Sequence, residues 1–246
     1  MKITFLGTNG WYDTKIGNTT CILIETKSEF IVLDAGGGIH KLDKYIRNKK
    51  PIYLFLSHIH LDHIIGLHTL AKFKFSQGID LYCASGIKKL LTKVITSPYT
   101  VSLNRLKTNI RLKELSKSSK FSFGLEFRKL KHSCTCYGFR FILEDKIISY
   151  ASDTGVCPNL HYLAAGSDLF ITECSAAGSS PNKEWPHLNA REAALVAKKS
   201  KVKKMVLMHF NPYIYPTVSS RKAALRQAKG IFKNTFMASD DKAMEL

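Results

Sequence analysis

The stretch Ser57-His58-Ile59-His60-Leu61-Asp62-His63 directly follows the short apolar run Ile52–Leu56. His58 and His60 are two residues apart, so in extended backbone both imidazoles project to the same side and can reach one cation. Asp62 and His63 follow at the turn and can reach a second cation. Imidazole nitrogens and carboxylate oxygens are the ligands that Zn²⁺, Mn²⁺ and Fe prefer. This stretch therefore predicts a metal site that begins where the apolar run ends.

Five further residues downstream are of the same chemical type. His132, Asp153 and His209 each lie at or next to the end of a predicted strand, and the two oxygens of Asp153 can bridge two ions. Two metal ions roughly 3.5–4 Å apart can activate water and neutralise a phosphate. His187 with Glu173 suits the protonation of a leaving group. Taken alone, each histidine is equally well interpreted as structural and Asp153 as a turn residue. The interpretation as a site rests on their occurrence together with the first motif.

Apolar, β-branched runs alternate with helical patterns along the whole chain. The runs predict strands over Lys2–Leu6, Thr20–Glu25, Phe30–Asp34, Ile52–Ser57, Asp80–Ala84, Phe121–Lys129, Phe139–Glu144, Lys146–Ala151, Leu169–Glu173 and Lys204–His209. The helical patterns cover Gly38–Asn48, Ile64–Phe73, Gly86–Ile95, Asn189–Lys199 and Ser219–Phe232. This alternation predicts a layered α/β fold. Several strands end in Asp, His or Glu, and we expect these ends to meet at a sheet edge. We find no repeat or linker, which predicts a single domain over residues 1–246.

The composition excludes several classes of protein. Of the 246 residues 45% are hydrophobic, which excludes a disordered chain. No apolar run approaches the roughly 18 residues of a membrane span, and the first residues do not resemble a signal peptide, so we expect a cytoplasmic protein without membrane contact. The six cysteines form no CxxC pair, and we expect reduced thiols. Cys134 and Cys136, close to His132, are interpreted as packing residues and not as ligands.

The chain carries a large excess of positive charge. Lys and Arg number 37 against 19 Asp and Glu, a formal net charge of +18. A positive field of this size attracts polyanions and indicates a phosphate-bearing substrate. A lysine-rich solvated surface accounts for the charge equally well, so the charge alone does not identify a ligand.

The HxHxDH stretch and the residues downstream resemble the metallo-β-lactamase superfamily, and within it the ribonuclease Z branch. The match runs along the whole chain. The segments that carry it are the opening strand and glycine turn (Phe5–Thr8), the second strand (Gly17–Glu25), the D-x-G turn (Val32–Gly36) and the metal motif with its helix (Ser57–Leu67). They continue with the Asp-Thr motif (Tyr150–Gly155), the glutamate strand (Ile171–Glu173), the histidine segment (His187–Ala197) and the segment of the final histidine (Leu207–Phe210).

This resemblance implies an αββα four-layer sandwich with two divalent metal ions, zinc first and manganese as the alternative. One ion would be held by His58, His60 and His132, the other by Asp62, His63 and His209, with Asp153 bridging them. A metal-bridged hydroxide oriented by Asp62 would attack phosphorus, and His187 supported by Glu173 would protonate the leaving oxygen. Asp34, Ser57 and Thr154 lie in the same motifs and are expected to support the ligands. Members of the family are usually homodimers.

Two departures from the family pattern bear on the substrate. The tRNA-processing members carry a long arm between the third histidine and the bridging aspartate, whereas here only 20 residues separate His132 from Asp153. The last ligand is followed by Asn211-Pro212-Tyr213, without the family's arginine. Both favour the compact relatives that hydrolyse small phosphodiesters such as 3′,5′-cyclic nucleotides, including enzymes of the anti-Pycsar type that degrade cyclic-nucleotide immune signals.

Three other functions remain open at this point. The first is a ribonuclease Z-like endoribonuclease that acts on tRNA 3′ ends or other RNA. The second is a non-catalytic module that binds nucleic acid through its positive charge, although binding alone needs no metal ligands. The third is a hydrolase of lactams or thioesters on the same fold, since a fold does not determine a function.

Overall fold

The computed structural model describes residues 1–178 and 184–246, and they divide into two compact units that alternate along the chain. Unit 1 contains Met1–Gly7, Gly17–Lys120 and Asp240–Leu246, and unit 2 contains Thr8–Ile16 and Phe121–Ser239. Each unit has one β-sheet, its own helices and its own cluster of buried apolar side chains. The prediction of one domain over residues 1–246 stays a prediction.

The sheet of unit 1 has seven strands in the order β13-β1-β2-β3-β4-β5-β6, numbered along the chain. The strands from β13 to β3 pair antiparallel, and those from β3 to β6 pair parallel. Their bounds are Lys2–Gly7 for β1, Cys21–Glu25 for β2, Phe30–Leu33 for β3, Ile52–Phe55 for β4, Ile79–Cys83 for β5, Ile110–Glu114 for β6 and Lys242–Glu245 for β13. The strands β2 and β3 are almost wholly buried, as their unbroken apolar sequences predict.

The helices of unit 1 are short: α1 spans Leu42–Tyr45, α2 spans Leu61–Ile64 and α3 spans Lys88–Val94. The prediction of one helix over Gly38–Asn48 is wrong, because Gly37–Lys41 forms a tighter 3-10 helix before α1. A Cβ on Gly38 would lie 2.6 Å from the backbone of β1, so this turn packs directly against the strand. The predicted helix Ile64–Phe73 is likewise a 3-10 helix over Ile65–Lys72.

The sheet of unit 2 has six strands in the order β12-β11-β10-β9-β8-β7. The strands β7, β8 and β9 pair antiparallel, and β9 to β12 pair parallel. Their bounds are Gly124–Lys129 for β7, Tyr137–Leu143 for β8, Lys146–Ala151 for β9, Leu169–Cys174 for β10, Lys204–Phe210 for β11 and Thr235–Met237 for β12. Glu144 and Asp145 connect β8 to β9 with φ of 48° and 60°, the conformation of the two central residues in a tight type I′ hairpin.

The helices of unit 2 are α4 over Pro158–Ala164, α5 over Ala190–Lys199 and α6 over Val218–Lys229. The capping box predicted for α5 is confirmed: the Asn189 side chain accepts from the Glu192 backbone N–H, and the Glu192 carboxylate accepts from the Asn189 backbone N–H. The helix α4 was not predicted, although Pro158 at its first position is a recognised signal for a helix start.

Two sheets with helices confirm the mixed α/β fold class. The strands β6, β12 and β13 were not predicted, because β12 and β13 are only three and four residues long and β6 lies half-exposed among charged side chains. All six cysteines are free thiols. No helix among the described residues is both long enough and apolar enough to span a bilayer.

Candidate metal centre

In unit 1, Asp34 at the end of β3 organises the start of the histidine motif after β4. Asp34 is fully buried and has a left-handed backbone with φ of 60°, a conformation that Asp tolerates better than most residues. One of its carboxylate oxygens accepts from the Ser57 backbone N–H at 2.7 Å, and the other accepts from the Ser57 hydroxyl at 2.8 Å. Because β3 and β4 are parallel neighbours, their carboxyl ends meet at one edge, as the sequence predicted.

This network also sets the tautomer of His58. Since the single hydroxyl proton of Ser57 goes to Asp34, the Ser57 oxygen accepts from Nδ1–H of His58, 3.0 Å away. Nε2 of His58 then carries a lone pair, and it lies 3.0 Å from Nδ1 of His60. Two ring nitrogens thus converge, which is the arrangement that a metal ligand pair requires.

His63 is oriented by the same aspartate. Its Nδ1 lies 2.9 Å from the Asp34 carboxylate, so Nδ1 donates there and Nε2 faces the Asp62 carboxylate at 3.6 Å. Gly36, in the D-x-G turn, allows the close approach of the backbone of the motif, because a Cβ there would lie 2.4 Å from the carbonyl oxygen of Asp62. Unit 1 therefore brings together all six of its predicted site residues, Asp34, Ser57, His58, His60, Asp62 and His63.

In unit 2, the carboxylate of Asp153 is surrounded by three histidines. Its oxygens lie 3.1 Å from Nε2 of His209, 3.7 Å from Nε2 of His132 and 3.9 Å from Nδ1 of His187. His132, Asp153 and His187 each offer one donor atom, and these three atoms lie within 4.8 Å of one another. Backbone pairing of Lys131 with Gly155 places His132 beside Asp153. We call Asp153, His132, His187 and His209 the Asp153 cluster.

His209 reaches this cluster through a β-bulge. Glu173 of β10 pairs with Met208, whereas Cys174 pairs with Phe210, so His209 is an extra residue in β11. Its φ of 50° is left-handed, and such a bulge re-aims the side chain. The Ser175 hydroxyl donates to the His209 carbonyl at 2.6 Å and therefore accepts from Nδ1–H at 2.7 Å, which leaves Nε2 with a lone pair toward Asp153.

Glu173 holds His187 and the Asp-Thr motif together. It is fully buried, and one of its oxygens accepts from the Thr154 backbone N–H at 2.6 Å. Both of its oxygens lie within 3.0 Å of Nδ1 of His187, so Nδ1 donates to the carboxylate and Nε2 is the reactive nitrogen. His187 is partly exposed, and the capped helix α5 begins three residues later, which fixes the backbone beside it.

The structure thus brings together His132, Asp153, Thr154, Glu173, His187 and His209 in unit 2. Two supporting hydroxyls were not predicted from the sequence. Ser175 orients His209, and the Ser152 hydroxyl donates to the Asp153 carboxylate at 2.9 Å. The donor set fits divalent metal ions: the hydrogen bonds of His58, His63 and His209 leave in each ring one unprotonated nitrogen directed at another ligand-type group.

The sequence matches a known family over most of its length. The family model of the beta-lactamase superfamily domain matches residues 30–210, which include every predicted site residue. The chain is 23% identical to ribonuclease Z of Bacillus cereus strain AH187, over 99% of this chain and 98% of that protein. That alignment extends over 314 positions although this chain has 246 residues, so the relative carries insertions that this chain lacks.

Solved structures give the same fold. The metallo-beta-lactamase fold protein YhfI from Bacillus subtilis superposes with a TM-score of 0.84 at 22% identity, covering 100% of this chain and 98% of that one. A diphosphatase from the PhnP family superposes with a TM-score of 0.75 at 17% identity, covering 100% of this chain and 97% of that one. The predicted metallo-β-lactamase fold and the similarity to the ribonuclease Z branch are confirmed.

Proposed function

The chain belongs to the beta-lactamase superfamily and is a metal-dependent hydrolase of that superfamily, and from this premise we propose that it is a phosphodiesterase of small substrates, namely 3′,5′-cyclic nucleotides. The observation that carries the choice of substrate is the short connection between His132 and Asp153. The strands β8 and β9 join there through a two-residue hairpin, which leaves no segment for a protruding tRNA-binding arm.

The proposed ligand assignment follows the family resemblance and is supported by the tautomers in each unit. In this assignment one metal ion would be held by His58, His60 and His132, the other by Asp62, His63 and His209, and Asp153 would contribute to both. Bound zinc or manganese supplies positive charge that lowers the pKa of water and stabilises a phosphate.

The residues of the chain supply the proton chemistry. When His187 is protonated, Nδ1–H stays with the Glu173 carboxylate, and the proton on Nε2 goes to the ribose oxygen as its bond to phosphorus breaks. Glu173 stabilises the imidazolium and holds the ring in position. Asp62 accepts a hydrogen bond from the attacking hydroxide and orients it as its oxygen bonds to phosphorus. Ring opening then yields a nucleoside monophosphate.

The first test is a hydrolysis panel with protein loaded with zinc or manganese. The substrates are the four 3′,5′-cyclic mononucleotides, and metal-stripped protein is the control. We expect metal-dependent conversion to mononucleotides. Metal-loaded protein that converts none of the four would refute the cyclic-nucleotide proposal.

The second test separates His187 as a proton donor from His187 as a ligand, since His187 lies in one group of ligand-type residues with His132 and Asp153. We expect His187→Ala to keep the wild-type metal content and to lose about 100-fold or more in kcat. In contrast, His60→Ala should lose both metal and turnover. His161→Ala is the matched control, because His161 bonds Ser200 outside the Asp153 cluster. Loss of metal in His187→Ala equal to that in His60→Ala would make His187 a ligand.

A second candidate function is endoribonuclease activity on tRNA 3′ ends, which the full-length similarity to ribonuclease Z favours. Cleavage of a precursor tRNA by metal-loaded protein, with cyclic nucleotides untouched, would establish it in place of the first. The cytoplasmic location and the homodimer stay predictions from the sequence.

A further inference from the structure

The chain has two tryptophans: Trp185 lies beside a histidine of the Asp153 cluster, and Trp11 directly follows the glycine that contacts another. The ring centroids of Trp185 and His132 are 6.2 Å apart, with the ring planes at 79°. Trp185 nevertheless leaves 49% of its surface exposed. Trp is among the most apolar of large side chains, and a globular protein usually covers it. Core packing therefore does not account for the position of Trp185 beside a predicted ligand.

Trp11 lies in the loop Thr8–Ile16, which belongs to unit 2. The preceding residue, Gly10, lies directly against the His209 imidazole, because a Cβ on Gly10 would be 2.5 Å from Cε1 and 2.8 Å from Nδ1 of that ring. The backbone N–H of Gly10 donates to the carbonyl of Phe210 at 3.0 Å, next to the bulge. Trp11 is thus anchored one residue away from the glycine that contacts His209.

Trp11 is also held in an unfavourable backbone conformation. Its φ is 63°, a left-handed value that is a rare outlier for a bulky residue, and 65% of its surface is exposed. Residues kept in such conformations gather at functional sites, where the surrounding structure enforces them. Here neither burial nor backbone preference accounts for the placement of the indole.

A buried polar network enforces this conformation. Asn9 is fully buried, and its amide donates to the Tyr12 carbonyl at 3.0 Å and to the Thr14 hydroxyl at 3.1 Å. Asn9 precedes Trp11 in the chain and both of its acceptors follow it, so these hydrogen bonds span Trp11. The other end of the Asn9 amide accepts from the buried guanidinium of Arg221. Arg221 in turn stacks over Phe210, 5.1 Å from the ring centroid. The loop therefore holds Trp11 exposed to solvent, one residue after the glycine that contacts His209.

We propose that Trp11 and Trp185 form a nucleobase-binding surface, on which the base of a nucleotide stacks while its phosphate lies at the Asp153 cluster. This proposal depends on the proposed function only for which phosphate reacts at the Asp153 cluster. An indole presents a flat face that accepts any base, so the surface confers preference for nucleotides over phosphates without a base. Loss of one such stacking contact weakens binding about tenfold or more.

Intrinsic fluorescence tests this directly, because these two indoles are the only ones in the chain. Trp11→Phe leaves Trp185 as the sole reporter, and Trp185→Phe leaves Trp11. Metal-loaded forms of both variants are titrated with AMP and, as the probe without a base, with ribose 5-phosphate. We expect AMP to quench the fluorescence and ribose 5-phosphate to leave it unchanged. Equal responses to the two probes, or none to either, would overturn the proposal.

Kinetics give an independent readout. The double variant Trp11→Ala/Trp185→Ala should raise KM for cyclic AMP about tenfold or more while kcat changes little, since stacking contributes to binding. Phe236→Ala, which removes an exposed ring from β12, is the matched control and should behave as wild type. Wild-type KM in the double variant, with turnover intact, would refute the base-binding surface and leave the proposed function standing. Quenching by AMP in a protein that hydrolyses no diester would refute the proposed function and support the surface.

Discussion

At the scale of single residues, two serine hydroxyls have the same role in different units. Ser57 gives its proton to Asp34 and accepts from His58, whereas Ser175 gives its proton to the His209 carbonyl and accepts from His209 Nδ1. Each hydroxyl fixes the histidine tautomer in which Nε2 carries the lone pair, as a metal ligand requires. Ser57 was predicted because it lies inside the motif. Ser175 was missed, because a serine after a strand has no recognisable ligand spacing and depends on the bulge at His209 for its role.

Gly10 provides the sharpest prediction at this scale. We expect Gly10→Ala to displace the His209 ring, because the added Cβ would lie within 3 Å of Cε1, Nδ1 and Nε2. A misplacement of about 1 Å at a site of this kind costs about 100-fold in kcat/KM. Hydrolysis kinetics and metal content measure the effect, and thermal unfolding shows whether the fold is kept. Gly230→Ala is the control, since a Cβ there would meet nothing closer than 3.4 Å. A Gly10→Ala protein with wild-type kcat/KM would contradict the assignment of His209.

At the scale of elements, the sequence predicted the central strands well, because a continuous apolar run such as Phe30–Leu33 is typical of a strand buried on both faces. The prediction was least accurate at Gly37–Lys41, where close packing of a glycine goes with a 3-10 helix instead of an α-helix, and at edge strands such as β6, which is half-exposed. The predicted meeting of polar strand ends is confirmed within each unit. The bulge that aims His209 was beyond periodicity arguments, since one extra residue changes pairing without changing the pattern of β11.

The contacts that fasten the residues just before β13 to the rest of unit 1 give a prediction at the scale of elements. The buried ammonium of Lys41 donates to the Leu6 carbonyl at 2.9 Å, to Asp240 at 3.0 Å and to Asp241 at 3.1 Å, and Tyr45 also donates to Asp241. Burial opposes a lower pKa for Asp241, but the hydrogen bond and the charge of Lys41 outweigh it and lower that pKa. Its contribution to stability is therefore present above about pH 4 and is lost as pH falls through the lowered pKa.

We accordingly expect Asp241→Asn to destabilise the protein at neutral pH and to flatten the loss of stability as the pH falls below about 4. Urea unfolding at a series of pH values measures both effects. Asp43→Asn, which removes an exposed ion pair with Lys72, is the control and should change little. An Asp241→Asn protein whose stability falls in acid as steeply as that of wild type would show that this carboxylate does not fasten β13.

At the scale of the whole molecule, the net charge of +18 and the short connection between β8 and β9 point to different substrate sizes. Some lysines are already committed to ion pairs, such as Lys41 with Asp240, Lys50 with Glu25 and Lys203 with Asp168. Each such pair cancels one positive and one negative charge, so the net charge of +18 is unchanged and still attracts polyanions. However, binding driven by net charge gains from the counterions that each neutralised phosphate releases. A cyclic mononucleotide has one phosphate and therefore gains little, whereas RNA has many.

A salt series therefore distinguishes the two candidate substrates. If the enzyme acts on cyclic nucleotides, raising the salt from about 50 mM to about 200 mM should change KM by no more than a few-fold, because one phosphate interacts mainly with the metal centre. A substrate neutralised at six or more phosphates loses about 1,000-fold in affinity over the same range. Metal-loaded protein is measured with cyclic AMP and with a precursor tRNA, under identical salts. A steep salt dependence confined to the tRNA, combined with faster cleavage of it, would identify the positive surface as a substrate-binding surface and the chain as an endoribonuclease.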